Sequence, residues 1–197
     1  LVGLSRRAAA APTSVNASVV GIMLAATVVY VRVLIEVYAV GYSVAMQIAW
    51  PIMLLGVTQA AIALVLWWRS RGEEMVVPEQ ENPADLRWAL FFGAMFAAVL
   101  VAIAAARHYL GPGALFAVAA LSGATDMDAI TLSVAGMAED GRVSASVAWR
   151  AIVIATIANM GFKCGIAFVL GGIALGTRVA VAFGIQSLIA LLLVVLV

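Results

Sequence analysis

Six runs of about 20 apolar residues follow one another along this chain, at about 17–40, 44–68, 87–106, 113–137, 146–170 and 178–197. A helix rises about 1.5 Å per residue, so each run is long enough to cross the ~30 Å hydrocarbon layer of a membrane. Lipid offers the backbone no hydrogen-bond partner, so a spanning segment must be a helix or part of a closed barrel. A barrel strand would alternate apolar with polar residues, and these runs do not. The expected fold is all-α: a polytopic membrane helical bundle of about six transmembrane helices, forming one integral membrane domain over residues 1–197. Composition points the same way. With 65% hydrophobic and 11% charged residues, the chain has too little polar surface for a water-soluble domain.

The gaps between runs carry turn chemistry: Gly41-Tyr42-Ser43, the polar stretch 69–87 with Pro78 and Pro83, Gly111-Pro112-Gly113, the loop 139–144, and Gly171-Gly172. Asn82 and Pro83 read as a helix start. Arg6, Arg7, Arg69, Arg71, Arg87, Arg142 and Arg150 fall on one side of this alternation, and only Arg107 and Arg178 on the other. The positive-inside rule then predicts a cytoplasmic N-terminus, cytoplasmic loops at 69–86 and 139–145, and a cytoplasmic C-terminus. Trp67, Trp68 and Trp88 fall near span ends, as interfacial indoles do. Residue 1 is Leu and residues 191–197 are an unbroken apolar run, so both ends read as truncated. A faint repeat pairs Val15-Asn-Ala-Ser-Val19 with Val143-Ser-Ala-Ser-Val147 at an offset of 128. It predicts a parallel internal duplication in which the first span matches the fifth and the second matches the sixth.

Several function classes drop out. The net charge of +1, without a basic block, gives no footprint for nucleic acid. One cysteine, Cys164, and one histidine, His108, are too few for a zinc, copper or iron–sulfur site built by this chain alone. No nucleophile–base set, nucleotide-binding glycine loop or zinc motif is present, so the chain does not read as an enzyme.

What remains is a small set of charges inside the apolar runs: Arg32, Glu36, Asp126, Asp128 and Lys163, with a sum of −1. A charge at bilayer depth costs roughly 2.5–3.5 kcal/mol on insertion scales, so it needs a partner. Arg32 and Glu36 are four apart on one helix face and read as a structural ion pair. Asp126 and Asp128 are two apart, which on a regular helix points them about 200° from each other. An unwound turn at Gly123 would let them converge. Ser122, Thr125 and Thr131 add oxygen ligands nearby, and the set suits a hard divalent cation such as Mg2+. Thr156, Asn159 and Lys163 form one stripe on the fifth span, which makes Asn159 a further ligand and Lys163 a counter-ion to the aspartates. The bland alternative is a permanent Asp–Lys pair that only holds helices together. No other cofactor is implied. Gln47, Gln59 and Gln186 read as interhelical hydrogen bonders.

The segment from Ala120 to Ser133, with Asp126-x-Asp128-Ala-Ile-Thr131 at its centre, the Asn159-x-x-x-Lys163 helix and Gly171-Gly172 resemble a bacterial membrane domain of unknown function. That domain forms the C-terminal half of MgtC/SapB-like proteins. The resemblance implies an inner-membrane protein concerned with magnesium or another divalent cation. The leading expectation is cation transport or homeostasis through the intramembrane Asp pair, with lipid and a small cation as partners. The alternative is a non-catalytic accessory subunit packed against a larger membrane protein complex; as partners, a homo-oligomer or such a complex is expected.

Overall fold

The computed structural model describes residues 1–5, 15–71 and 115–196, together with positions 90, 94, 97 and 101. The elements are α1 (Val15–Val40), α2 (Tyr42–Arg69), α3 (Leu115–Thr125), α4 (Met127–Glu139) and α5 (Ala145–Leu196), with no strand among the described residues. The all-helical expectation holds. Most of the expected span at 87–106 lies outside the described residues. So do the helix start at Asn82, the break at Gly111, Trp88, His108 and the arginines Arg6, Arg7, Arg87 and Arg107.

Among the described residues three helices are long and apolar enough to cross a membrane: α1, α2 and the 52-residue α5. The last is two helices. Gly172 sits at φ 72, a left-handed conformation that costs glycine nothing and other residues a good deal. The Ser187 hydroxyl donates to Met160 Sδ at 3.7 Å. Along one straight helix those residues would be about 40 Å apart. The chain therefore folds back at Gly172 into antiparallel halves, α5a (145–171) and α5b (173–196).

Two more hairpins complete the bundle. α1 and α2 reverse at Gly41, with Gln59 Nε2 donating to the Met23 carbonyl at 3.4 Å. α4 and α5a reverse at Gly141 (φ 70). There Gly141 N donates to Ala138 O at 3.1 Å and Arg142 N to Met137 O at 2.8 Å, a glycine-terminated helix end.

Contacts between hairpins fix which turns share an end. Ser43 Oγ donates to Glu139 at 3.3 Å, and the Trp50 and Trp149 rings are 6.4 Å apart, so the Gly41 and Gly141 turns sit together. At the opposite end Arg178 donates to Asn16, Gly171 packs against the Ser5 backbone, and Arg69 and Ser70 line a pocket with Asn16 and Arg178.

Two expectations change. The loops at 69–86 and 139–145 were expected on one side, yet Ser70 and Glu139 lie at opposite ends. The start of α1 and the end of α5b also lie at opposite ends, so both termini do not share a side. The reason is that a side assignment from arginines depends on the alternation of spans assumed between them, and the alternation assumed between residues 70 and 139 is not the one the structure shows. The second change concerns the repeat. α1 runs from the Asn16 end to the Gly41 end, and α5a runs the other way. The two hairpins therefore run in opposite directions, which a parallel duplication does not allow.

The packing is that of a membrane bundle. Hydrocarbon is as apolar as leucine, so helices gain most from close approach. The buried faces are accordingly rich in alanine, including Ala45, Ala63, Ala119, Ala148, Ala151, Ala155 and Ala167. The large side chains Leu24, Val28, Val31 and Ile35 form one exposed stripe on α1.

Candidate functional site

The helix carrying the two aspartates is broken, and the break falls on Asp126. Its backbone is extended (φ −140, ψ 97) between α3 and α4, while Asp126 N still donates to the Ser122 carbonyl at 2.7 Å. Counting 13 residues back from Glu139 puts this interruption about 20 Å from the Gly41 end, deep in the membrane span. A break there strands amides on α4 and carbonyls on α3, which lipid cannot satisfy. The chain supplies partners from its own side chains. Asp126 Oδ1 accepts from Ala129 N at 3.0 Å, capping α4. Asn159 Nδ2 reaches across from α5a to the Gly123 carbonyl at 2.9 Å and lies 3.5 Å from the Ala124 carbonyl.

Gly123 does not unwind. It stays inside α3 and brings that helix against α5a. A Cβ at this position would meet the Ala155 backbone at 2.5 and 2.6 Å. The sequence marks the right glycine, but its task is close approach.

The two aspartates take different partners. Asp126 is exposed and caps its helix. Asp128, in the first turn of α4, forms an ion pair with the Arg32 guanidinium of α1. Arg32 Nε also lies 3.3 Å from Glu36 Oε1. One guanidinium thus bridges two carboxylates from two helices. The Glu36 side chain is only 13% exposed, and its second oxygen is buried without a hydrogen-bond partner. The Arg32–Glu36 pair is present, as part of a three-residue cluster.

Lys163 is not the partner of either aspartate and makes no ion pair with a described residue. It lies farther along α5a, toward the turn formed by the first five residues. Of its stripe, Thr156 donates back to Ile152 O at 2.8 Å, and only Asn159 reaches the aspartate segment. Thr125 Oγ1 donates to Ser122 O at 3.2 Å. Thr131 is fully buried, and its hydroxyl has no partner. Of the other described threonines, Thr27, Thr125, Thr156 and Thr177 donate to a carbonyl of their own helix, and the Thr58 hydroxyl has both Leu55 O and Gln186 Oε1 within reach of its one proton. Among the described residues no three His, Cys, Asp or Glu side chains come together as a metal cage.

The Arg32–Asp128 link had a signal in the sequence that the expected topology hid. Arg32 is about 12 Å along α1 from the Gly41 turn, and Asp128 about 17 Å along α4 from Glu139. The side chain of arginine spans such a difference once those two turns are placed at the same end.

Residues 1–171 match a domain of unknown function, DUF4010. The chain belongs to this family. An uncharacterized protein of Aquifex aeolicus (strain VF5) is 32% identical over 111 residues, covering 56% of this chain and 48% of that protein. The chain thus spans about half the length of the curated relative it matches. No solved structure matches it.

Proposed function

We propose that this DUF4010 chain moves or balances a small hard cation across a bacterial inner membrane, with Glu36 and Asp128 as the site and Arg32 as the resident counter-charge. The observation that carries this reading is the bridge from Arg32 to both acids at membrane depth. Two carboxylates and one guanidinium leave one negative charge over. A monovalent ion or a proton would cancel it with Arg32 in place. A divalent ion would cancel the acids once the guanidinium withdrew. The Arg32 side chain is 62% exposed, which leaves it room to do so. We favour the divalent ion. Mg2+ keeps most of its water and needs only one or two carboxylates. The resemblance to MgtC/SapB-like proteins supports the same class.

In this reading cation and Arg32 alternate on the acids. Asp126 keeps the broken helix capped, and the Thr131 hydroxyl supplies an oxygen one turn from Asp128.

The test is Mg2+ or Mn2+ flux in proteoliposomes holding the full chain. Glu36→Gln with Asp128→Asn is expected to lower flux at least tenfold, and Arg32→Gln to raise cation affinity. Unchanged flux in the double variant would overturn the reading. No flux in the parent chain, with co-purification of another membrane complex at fixed stoichiometry, would favour the accessory-subunit alternative.

A further inference from the structure

The end of the bundle away from the acids holds a pocket of about 370 Å³ between α1, α2 and α5b. Its rim is polar: Asn16, Arg69, Ser70, Thr177 and Arg178. Its other lining residues are Val19, Val20, Leu66 and Val181. Each of these lies three or four positions further into its helix than a rim residue. The apolar wall is therefore about one turn, or ~5 Å, deeper in the membrane.

Among the described residues the rim carries two guanidinium groups and no carboxylate. Arg178 is held in place by its hydrogen bond to Asn16. Arg69 makes no ion pair with a described residue. Ser70 Oγ donates to Trp67 O at 3.0 Å and Thr177 Oγ1 to Ile173 O at 2.8 Å, so the hydroxyl protons are already committed. The charged donors facing the pocket are the two arginines. A site with two cations and no anion calls for an anionic ligand, and guanidinium geometry matches phosphate oxygens in pairs.

Depth comes from a separate observation. Trp67 and Trp68 directly precede the rim residues Arg69 and Ser70 on α2, and the Arg71 guanidinium stacks 3.6 Å from the Trp67 ring centroid. Paired indoles with a basic neighbour mark the headgroup layer of a bilayer. The pocket sits at that level, and its wall opens sideways at Val181, which is 65% exposed.

We propose that this pocket binds the phosphate of an anionic phospholipid, with Arg69 and Arg178 on the headgroup and the valine–leucine wall against the first carbons of an acyl chain. A free phosphate would use the rim and leave the wall empty. Basic pockets between membrane helices at headgroup depth are suited to such lipids. This inference is independent of the cation reading, since the acids lie toward the opposite end.

The experiment uses the full chain in a neutral detergent. Phosphatidylglycerol, phosphatidylcholine and inorganic phosphate are titrated separately, and bound lipid is counted by native mass spectrometry alongside the melting temperature. Phosphatidylglycerol is expected to bind and raise the melting temperature, with much smaller effects from the other two. Arg69→Gln and Arg178→Gln are each expected to weaken phosphatidylglycerol binding about fivefold. Arg142→Gln, at the other end, should change nothing. Equal binding of phosphatidylcholine, an equal response to inorganic phosphate, or unchanged lipid binding in the double variant would each overturn the proposal. Because both arginines are exposed, the variants are expected to fold, and the lipid count reads binding separately from stability.

Discussion

Two polar regions lie within this apolar bundle, and they are built differently. One is neutral. Gln186 of α5b donates to the Leu55 carbonyl at 2.8 Å and to the Tyr30 hydroxyl at 3.1 Å, and accepts from Thr58 Oγ1 at 3.0 Å. Gln59 is buried beside Met23. The network ties α1, α2 and α5b together without charge and without a break in any helix. The other region is charged. Arg32, Glu36 and Asp128 leave one negative charge over, and the helix beside them is interrupted at Asp126. Apart from Gln59 Oε1, which is buried without a partner, the neutral network pairs its polar atoms with side chains and helix carbonyls, so it serves as a fastener. A charged cluster with an interrupted backbone carries cost that packing does not remove. That contrast is the physical ground for assigning function to the second region and structure to the first.

The sharpest challenge to the contrast comes from the helix contact that supports the break. Gly123→Val forces a side chain into the Ala155 backbone, and no rotamer relieves it. The expected loss is about 3 kcal/mol, read as a large fall in melting temperature in detergent. A loss below about 1 kcal/mol would mean that α3 and α5a are not held at this distance, and the Asn159 contact would go with it.

Gln186→Leu removes three hydrogen bonds at roughly constant volume. Interhelical hydrogen bonds in membranes average about 0.6 kcal/mol, so the expected cost is about 2 kcal/mol, with cation flux retained. Asp128→Asn is expected to do the reverse: little change in melting temperature and loss of flux. If both variants lost stability and neither lost flux, the two regions would be the same kind of structure and the distinction would fail.

Asp126→Ala should cost about 1 kcal/mol, the usual price of an N-cap, through the lost bond to Ala129 N. Asp126→Asn keeps an oxygen acceptor and should restore most of the stability. Retained stability in both would show that the cap is supplied by something other than this side chain.

The bundle was legible in the sequence because apolar runs of spanning length leave few choices. The hairpin at Gly172 was legible too, from paired glycines between two such runs. The relation between hairpins was not, because it depends on which ends meet, and an arginine count only follows the alternation of spans it assumes. The site was half legible. Asp126 and Asp128 stand out by type and depth, and Asn159 by its stripe. Their partners could not be read from the same segment. Arg32 looks satisfied by Glu36 four residues away, and only the packing of α1 on α4 brings Asp128 to it. Lys163 carries the right charge and lies on the right helix, yet it is too far along α5a to meet the acids.

Thr131→Val gives the smallest change and separates the two kinds of polar group most cleanly. Valine matches threonine in shape and drops the hydroxyl. At Thr27, Thr156 or Thr177 the hydroxyl donates to its own helix, so the exchange removes a bond. At Thr131 there is no bond to remove, and an unpartnered buried hydroxyl is a desolvation cost. Melting temperature is therefore expected to stay level or rise by the equivalent of up to about 1 kcal/mol. Cation affinity is expected to fall, because the oxygen one turn from Asp128 is gone. A drop in stability would place a hydrogen-bond partner on Thr131 in the membrane. Unchanged affinity would remove it from the site and leave Glu36 and Asp128 to hold the ion with water alone.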